Sequence, residues 1–315
     1  MTTALVYDER FYDHRTGPHH PERPQRLAAI WCGLRQEGLW ERLVHLPCRE
    51  ASITAIGRVH DPAYLKGIEE ACAAGRAYLD AGDTTVCPAS FQIARLAAGG
   101  VLAVIDAVMA GQVDKGFCAV RPPGHHAERD RAMGFCLLNH VAIGACELLE
   151  RHGCDRVAIV DFDVHHGNGT QHIFEDRAEV LFISLHEDPA SLYPGTGRAD
   201  ERGRGAGEGA TVNLPLAPGS GDSHYRRAFV DGVLPALGRF GPEVLLVSAG
   251  FDASAADPLA HMKVTPAGFA WMSRQLKDAA ARWCGGRLIS LLEGGYDLDS
   301  LGQCVAAHVR VLLDG

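Results

Sequence analysis

The sequence predicts an α/β protein, one domain over residues 1–315, with a mostly parallel β-sheet and helices on both faces. Three observations carry this. Short runs rich in Val, Ile and Leu alternate with longer segments of helical spacing along the whole chain, without a linker, repeat or low-complexity stretch. That is the pattern of strand–helix–strand crossovers. The runs, such as Val157-Ala158-Ile159-Val160, are apolar at every position, so both faces of each strand meet protein. Several runs then stop abruptly at carboxylates, imidazoles or glycines, just where an open parallel sheet binds its ligands.

Taken in order, the first strand is expected over 3–7, where Thr-Ala-Leu-Val-Tyr is short and apolar. Residues 14–24 hold three prolines and read as a polar loop, after which apolar spacing turns helical over 25–37. A second helix starts at Asp61, with Pro62 at its first position, where a missing N–H costs nothing. Residues 88–109 form a long helix rich in Ala and Gly, a packing element. Further strands are expected over 116–120, 157–161, 180–185, 243–248 and 287–292, and helices over 137–151, 222–237, 265–283 and 299–313. The longest irregular segment, 187–210, carries glycines at 203, 205, 207 and 209. Long loops in compact domains are usually functional. These glycines precede a strand instead of joining strand to helix, so they make no dinucleotide fingerprint, and no Walker A sequence is present.

Composition excludes several classes. A formal charge of −9 and a pI near 5.9 argue against nucleic acid as an obligatory partner. No run of about 18 apolar residues is seen, so no membrane partner is expected. The chain opens as a strand with no signal peptide, and its ten cysteines form no Cys-x-x-Cys pair. Reduced thiols packed as small hydrophobes in a cytoplasmic protein are expected. A homo-oligomer is compatible with this composition.

The reactive residue types fall in four places, each just after a predicted strand: His125 and His126, then Asp163 and His165, then Asp252, then Tyr296. Asp163 and His165 are two apart, so on extended backbone they project to one side. Asp161 shares that parity a pleat deeper and suits a supporting role. Asp163, His165 and Asp252 give one nitrogen and two carboxylates, which describes a catalytic zinc site with an open position; Fe(II) or Co(II) would also be accepted. Such a metal lowers the pKa of bound water and polarises a carbonyl. His125 and His126 are candidates for the proton transfers, with Asp161 and Asn168 available to orient them. Tyr296 follows two glycines, and its hydroxyl can donate to a developing oxyanion. Together these groups indicate hydrolysis of an acyl bond, most simply an amide.

Arg121-Pro-Pro-Gly-His-His-Ala, Asp161-Phe-Asp-Val-His-His-Gly-Asn-Gly-Thr, Ser248-Ala-Gly-Phe-Asp-Ala and Leu292-Glu-Gly-Gly-Tyr resemble the zinc-dependent histone deacetylases. The likeness is to the class II and bacterial amidohydrolase branch, which includes the acetylpolyamine amidohydrolases, and it runs from about Tyr7 onward. It implies the arginase/deacetylase fold and zinc on Asp163, His165 and Asp252. His126 would be general base and acid, held by Asn168. His125 would be its electrostatic partner, held by Asp161, and Tyr296 the oxyanion donor. A structural potassium is implied beside Asp161, Asp163, His165, Ser184 and Leu185. Gly134, Phe135 and Tyr193 resemble walls of an acyl-lysine tunnel, and Leu259 its hydrophobic gatekeeper, where eukaryotic polyamine deacetylases carry Glu. Arg23, in His20-Pro-Glu-Arg-Pro, resembles the arginine at the inner end. The rim carboxylate of class I enzymes is replaced by Val86, with Asp83 and Thr84 nearby. The substrate implied is an acetyl-lysine peptide or protein, or another acetylated amine.

Other residues have plainer readings. His45, His60, His152 and His308 are expected in satisfied structural positions, and His14, His19 and His20 in a solvated loop. His186 and His261 fall near the reactive edge. An arginase-type ureohydrolase would need further carboxylates where Gly167 and Ser254 stand. A non-catalytic acyl-lysine binder would have lost a ligand or the tyrosine, and neither is lost.

Overall fold

The computed structural model describes residues 2–314. Eight strands, β1 (Thr3–Val6), β2 (Val44–His45), β3 (Lys115–Cys118), β4 (Val157–Asp161), β5 (Val180–Glu187), β6 (Thr211–Leu216), β7 (Val244–Ala249) and β8 (Leu288–Leu292), form one sheet. Their order is β2-β1-β3-β8-β7-β4-β5-β6. Every ladder is parallel. The central pair is in register from Val157 opposite Val244 to Asp161 opposite Ser248. The helices are α1 (Gln25–Gln36), α2 (Ile53–Ile56), α3 (Pro62–Ala73), α4 (Ser90–Met109), α5 (His140–Glu150), α6 (Asn168–Phe174), α7 (Asp222–Ala228), α8 (Leu234–Phe240), α9 (Pro266–Trp283) and α10 (Leu298–Leu313). α4 packs with α5, and α1 and α9 with α10, so the helices cover the sheet as two layers.

β4, β7 and β8 are buried at every position, which is why they show no alternation. α4 is long and apolar enough, by length and composition only, to cross a membrane, although Gln92, Arg95 and Asp106 interrupt its apolar run. It is apolar on nearly all sides because it is enclosed, packing on β1, β3, β8 and α5. The helix expected over 222–237 is interrupted by a π-turn at Phe229–Val233. The interruption leaves Pro235, which has no N–H to donate, in the first turn of α8. β2 and α6 are too short to give a periodic signal.

Several imidazoles are locked into the interior as neutral groups. His60 lies between Glu128 O and the Asn139 N–H, and His308 between Ser273 and Ser290. Burial holds His60 and His140 at about 4 and His308 at about 3, against an ordinary 6.5. Between those values and 6.5 the unfolded chain takes up protons that the folded rings refuse. Stability is therefore full above pH 6.5 and falls as pH drops through that window. The urea midpoint is expected to be lower at about pH 5 than at about pH 7; a flat midpoint would mean that these rings titrate freely in the native state.

Candidate active site

The four groups singled out in the sequence follow β3, β8, β7 and β4, which are consecutive in the sheet. Parallel strands present all their carboxyl ends at one edge, so residues up to 171 positions apart come together there. His165 Nδ1 lies 3.1 Å from Asp163 Oδ1 and 3.2 Å from Asp252 Oδ2. Ligand atoms of the three residues all stand within 4.8 Å of one another. Asp163 and Asp252 are held in place by main-chain donors: Gly294 N–H to Asp163 Oδ2 (2.7 Å) and Val164 N–H to Asp252 Oδ1 (2.9 Å). Gly294 has no substitute, since a Cβ there would collide with both carboxylates. Among the three, burial alone would discharge His165, yet its hydrogen bonds to the accepting carboxylates of Asp163 and Asp252 raise it to about 10. The trio thus demands positive charge at its centre. Two carboxylates and one imidazole with room for further ligands fit a divalent metal such as zinc.

A second group of metal-ligating types, Asp106, Glu147 and His152, lies at the opposite edge beside a groove of about 760 Å³. Glu147 is already paired with Arg58 and Arg151, and Asp106 with His152. A cation there would have to displace two guanidinium groups.

His125 and His126 stand side by side with ring centroids 4.0 Å apart, but their environments differ. His125 Nδ1 faces Asp161 Oδ2 at 3.0 Å, and His126 Nδ1 faces Asn168 Oδ1 at 2.7 Å. Burial disfavours charge on both rings. On His125 the carboxylates of Asp163, Asp161 and Glu293 outweigh it and raise the pKa well above 6.5. On His126 burial is reinforced by His125 and His165, and the pKa falls well below 6.5. Neighbouring groups pushed apart in this way take distinct acid and base roles. Asn168 is itself steered by its amide donating to Glu128 Oε1 at 2.9 Å.

Above these groups opens a cavity of about 260 Å³. Buried His126, His165 and Tyr296 form its floor, Gly134, Phe135, Leu192, Tyr193 and Leu259 its walls, and exposed Asp83 its rim. It is smaller than the roughly 300–1,000 Å³ of pockets for drug-sized ligands, and suits a slender chain. Phe135 has φ +68°, a strained conformation for an aromatic residue that marks functional walls. Its amide donates to Thr84 Oγ1 (3.3 Å), and its ring packs edge-on to His20 and Tyr296. Burial and its hydrogen bond with Asp80 raise Asp83 to about 6.

Several residues stand elsewhere than expected. Arg23 does not reach the cavity, and its Nε is enclosed without a partner. The inner arginine is Arg26, one turn on, with its guanidinium 5.0 Å over the Tyr296 ring. It donates to Gly295 O (2.7 Å) and Glu293 O (2.5 Å). His14 is buried rather than solvated, bonded to Ser90 at 2.8 Å and near Glu22, which also pairs with Arg26 and Arg121. His186 is buried between Ser184 and Gly197 O, and His261 is exposed on Glu187. Asp161 and Ser184 pair across β4 and β5, with Leu185 next along β5. Sequence reasoning assigned no role to Glu293, whose carboxylate accepts the Gly124 and His125 N–H groups at 2.7 and 3.1 Å. Its position directly after β8 is the same signal that marks Asp252. Asp257 carried no such signal.

A solved structure shares this architecture. The HDA15 HD domain matches with a TM-score of 0.94 at 42% identity, covering 99% of this chain and 89% of that one. The protein is therefore an α/β protein of the arginase/deacetylase fold. Residues 20–312 match the histone deacetylase domain, and the chain belongs to the histone deacetylase family of amidohydrolases. It is 43% identical to Polyamine deacetylase HDAC10 of Homo sapiens, over 99% of this chain and 48% of that protein. It is 41% identical to a Probable deacetylase of Archaeoglobus fulgidus, over 95% of this chain and 82% of that one. The chain thus spans about half the length of the human relative.

Proposed function

We propose that the protein is a zinc-dependent deacetylase that hydrolyses the amide of an acylated primary amine, with N-ε-acetyl-lysine in peptides or proteins as the leading substrate. The observation that carries this reading is the meeting of Asp163, His165 and Asp252 at the floor of a narrow cavity, beside one basic and one acidic imidazole. Zinc held by those three side chains would supply Lewis acidity toward the amide carbonyl and acidify water. His126, neutral at neutral pH, accepts the proton of the attacking water and returns it to the departing amine. His125, kept charged by Asp163, Asp161 and Glu293, stabilises negative charge building up beside it. Tyr296 stays protonated because burial, then the carboxylate of Asp252, raises its hydroxyl well above 10, so it donates to the oxyanion. Phe135, Tyr193 and Leu259 exclude water from the aliphatic stem of the substrate.

A potassium ion beside Asp161, Asp163, His165, Ser184 and Leu185 forms part of the proposal. Its support is the excess of buried carboxylate, Asp161, Asp163, Asp252 and Glu293, which needs compensating charge. Free thiols at all ten cysteines support a reducing, cytoplasmic setting. A second ureohydrolase-type metal lacks a ligand, since Gly167 supplies no side chain and an added Cβ there would collide with Asp161.

One observation favours a second substrate. The Asp83 carboxylate at the rim is placed to pair with a cationic nitrogen of an acetylpolyamine, although uncharged Leu259 offers no such partner. Zinc-loaded protein is to be assayed on acetyl-lysine peptides and N-acetylated polyamines side by side. Turnover of the peptide supports the first substrate and preference for the polyamine the second, whereas no turnover of either removes the reading.

A further inference from the structure

We propose that Asp257 is a positioning residue for this reaction: its single carboxylate clamps the backbone of Tyr296 to the Leu259 wall of the cavity. Asp257 is 6% exposed, on the segment between β7 and α9. Its Oδ2 accepts the Tyr296 N–H at 2.6 Å and the Asp297 N–H at 3.3 Å. Its Oδ1 accepts the Leu259 N–H at 3.0 Å. One side chain therefore ties the donor tyrosine to a wall residue 37 positions away in sequence.

The tie matters because of what precedes Tyr296. Gly294 and Gly295 form a compliant stretch, with Gly295 at φ +119°. Asp163 anchors the Gly294 N–H, and Arg26 anchors the carbonyls of Glu293 and Gly295. The last of these, to the Gly295 carbonyl, holds one edge of the planar Gly295–Tyr296 peptide, and Asp257 holds the other edge through the Tyr296 N–H. Without that acceptor the peptide is held at its carbonyl alone, and the tyrosine can tilt about the Arg26 contact on the compliant glycine pair. A displacement of about 1 Å at a reacting group costs on the order of 100-fold in rate.

The inference rests on Tyr296 acting as the oxyanion donor, and the test separates the two. Asp257→Asn keeps the shape but leaves one acceptor oxygen for three N–H donors. On the best acylated-amine substrate, kcat is expected to fall about 10- to 100-fold with KM little changed. Bound zinc and melting temperature should stay near those of the wild type. In a Tyr296→Phe background the same change should cost no more than about threefold, since the hydroxyl it positions is gone. In the metal-free protein, amide hydrogen exchange over residues 294–297 should quicken. An unchanged kcat, an equal cost in both backgrounds, or loss of zinc would each overturn the proposal. The exchange measurement needs no turnover. Faster exchange in a protein with no amidase activity would uphold the clamp and remove the reaction, whereas activity with unaltered exchange would remove the clamp.

Discussion

Replacing Tyr296 with phenylalanine is expected to lower kcat by about 10²- to 10³-fold, the usual cost of removing one oxyanion donor, while leaving zinc bound. The ring is 8% exposed, fixed between the Arg26 guanidinium at 5.0 Å and the edge of Phe135 at 5.9 Å. Phenylalanine fills the same space, so the change removes the hydroxyl and little else. KM should move far less than kcat, because the donor acts on charge that develops only after binding. Single-turnover kinetics with a zinc determination on the same sample check both halves. A kcat within twofold or so of wild type, against the losses typical of such donors, would strip Tyr296 of its role.

Substitution of Asp252 by alanine should abolish both metal binding and turnover. Asp252 is fully buried, and its Oδ2 faces His165 at 3.2 Å. Losing even a partner of a metal ligand costs about 10- to 100-fold in affinity, and losing a ligand outright costs more. Thermal denaturation with and without zinc provides a readout independent of activity. A metal present at 100 times its Kd stabilises the folded state by about 2.7 kcal/mol. Wild type and Tyr296→Phe should show that upward shift, and Asp252→Ala should not. A zinc-dependent shift that survives in Asp252→Ala would place the metal somewhere else.

The two variants probe features that were legible in the chain to different degrees. The strands beneath the site could be read because a strand buried on both faces is apolar at every position, and its end is marked by the first ionisable residue. Asp161, Asp252 and Glu293 carry that mark, and Asp163 and Tyr296 lie two and three residues beyond it. Arg26 could not be told from Arg23 in this way. The two are three residues apart, close to one helical turn, and which of them points inward depends on where α1 begins, with Pro24 as its N-cap. His14 sits in a proline-rich stretch that looks solvated. Its burial follows from Glu22, Arg26 and Arg121, of which Arg121 lies 99 positions from Glu22. Asp257 occupies a loop with no periodicity, and its partners are main-chain amides, those of Tyr296 and Asp297 and that of Leu259.

By itself the sequence determined the strand and helix inventory at the centre of the chain, the residue types at each strand end, and through them the family. These are local properties, written in patterns a few residues long. Only the tertiary structure decided that β3, β8, β7 and β4 lie side by side, that Arg26 underlies Tyr296, and that Asp257 holds it. Those outcomes depend on the pairing of buried charges and main-chain donors between distant segments, and such pairing is settled when the sheet closes and water is excluded.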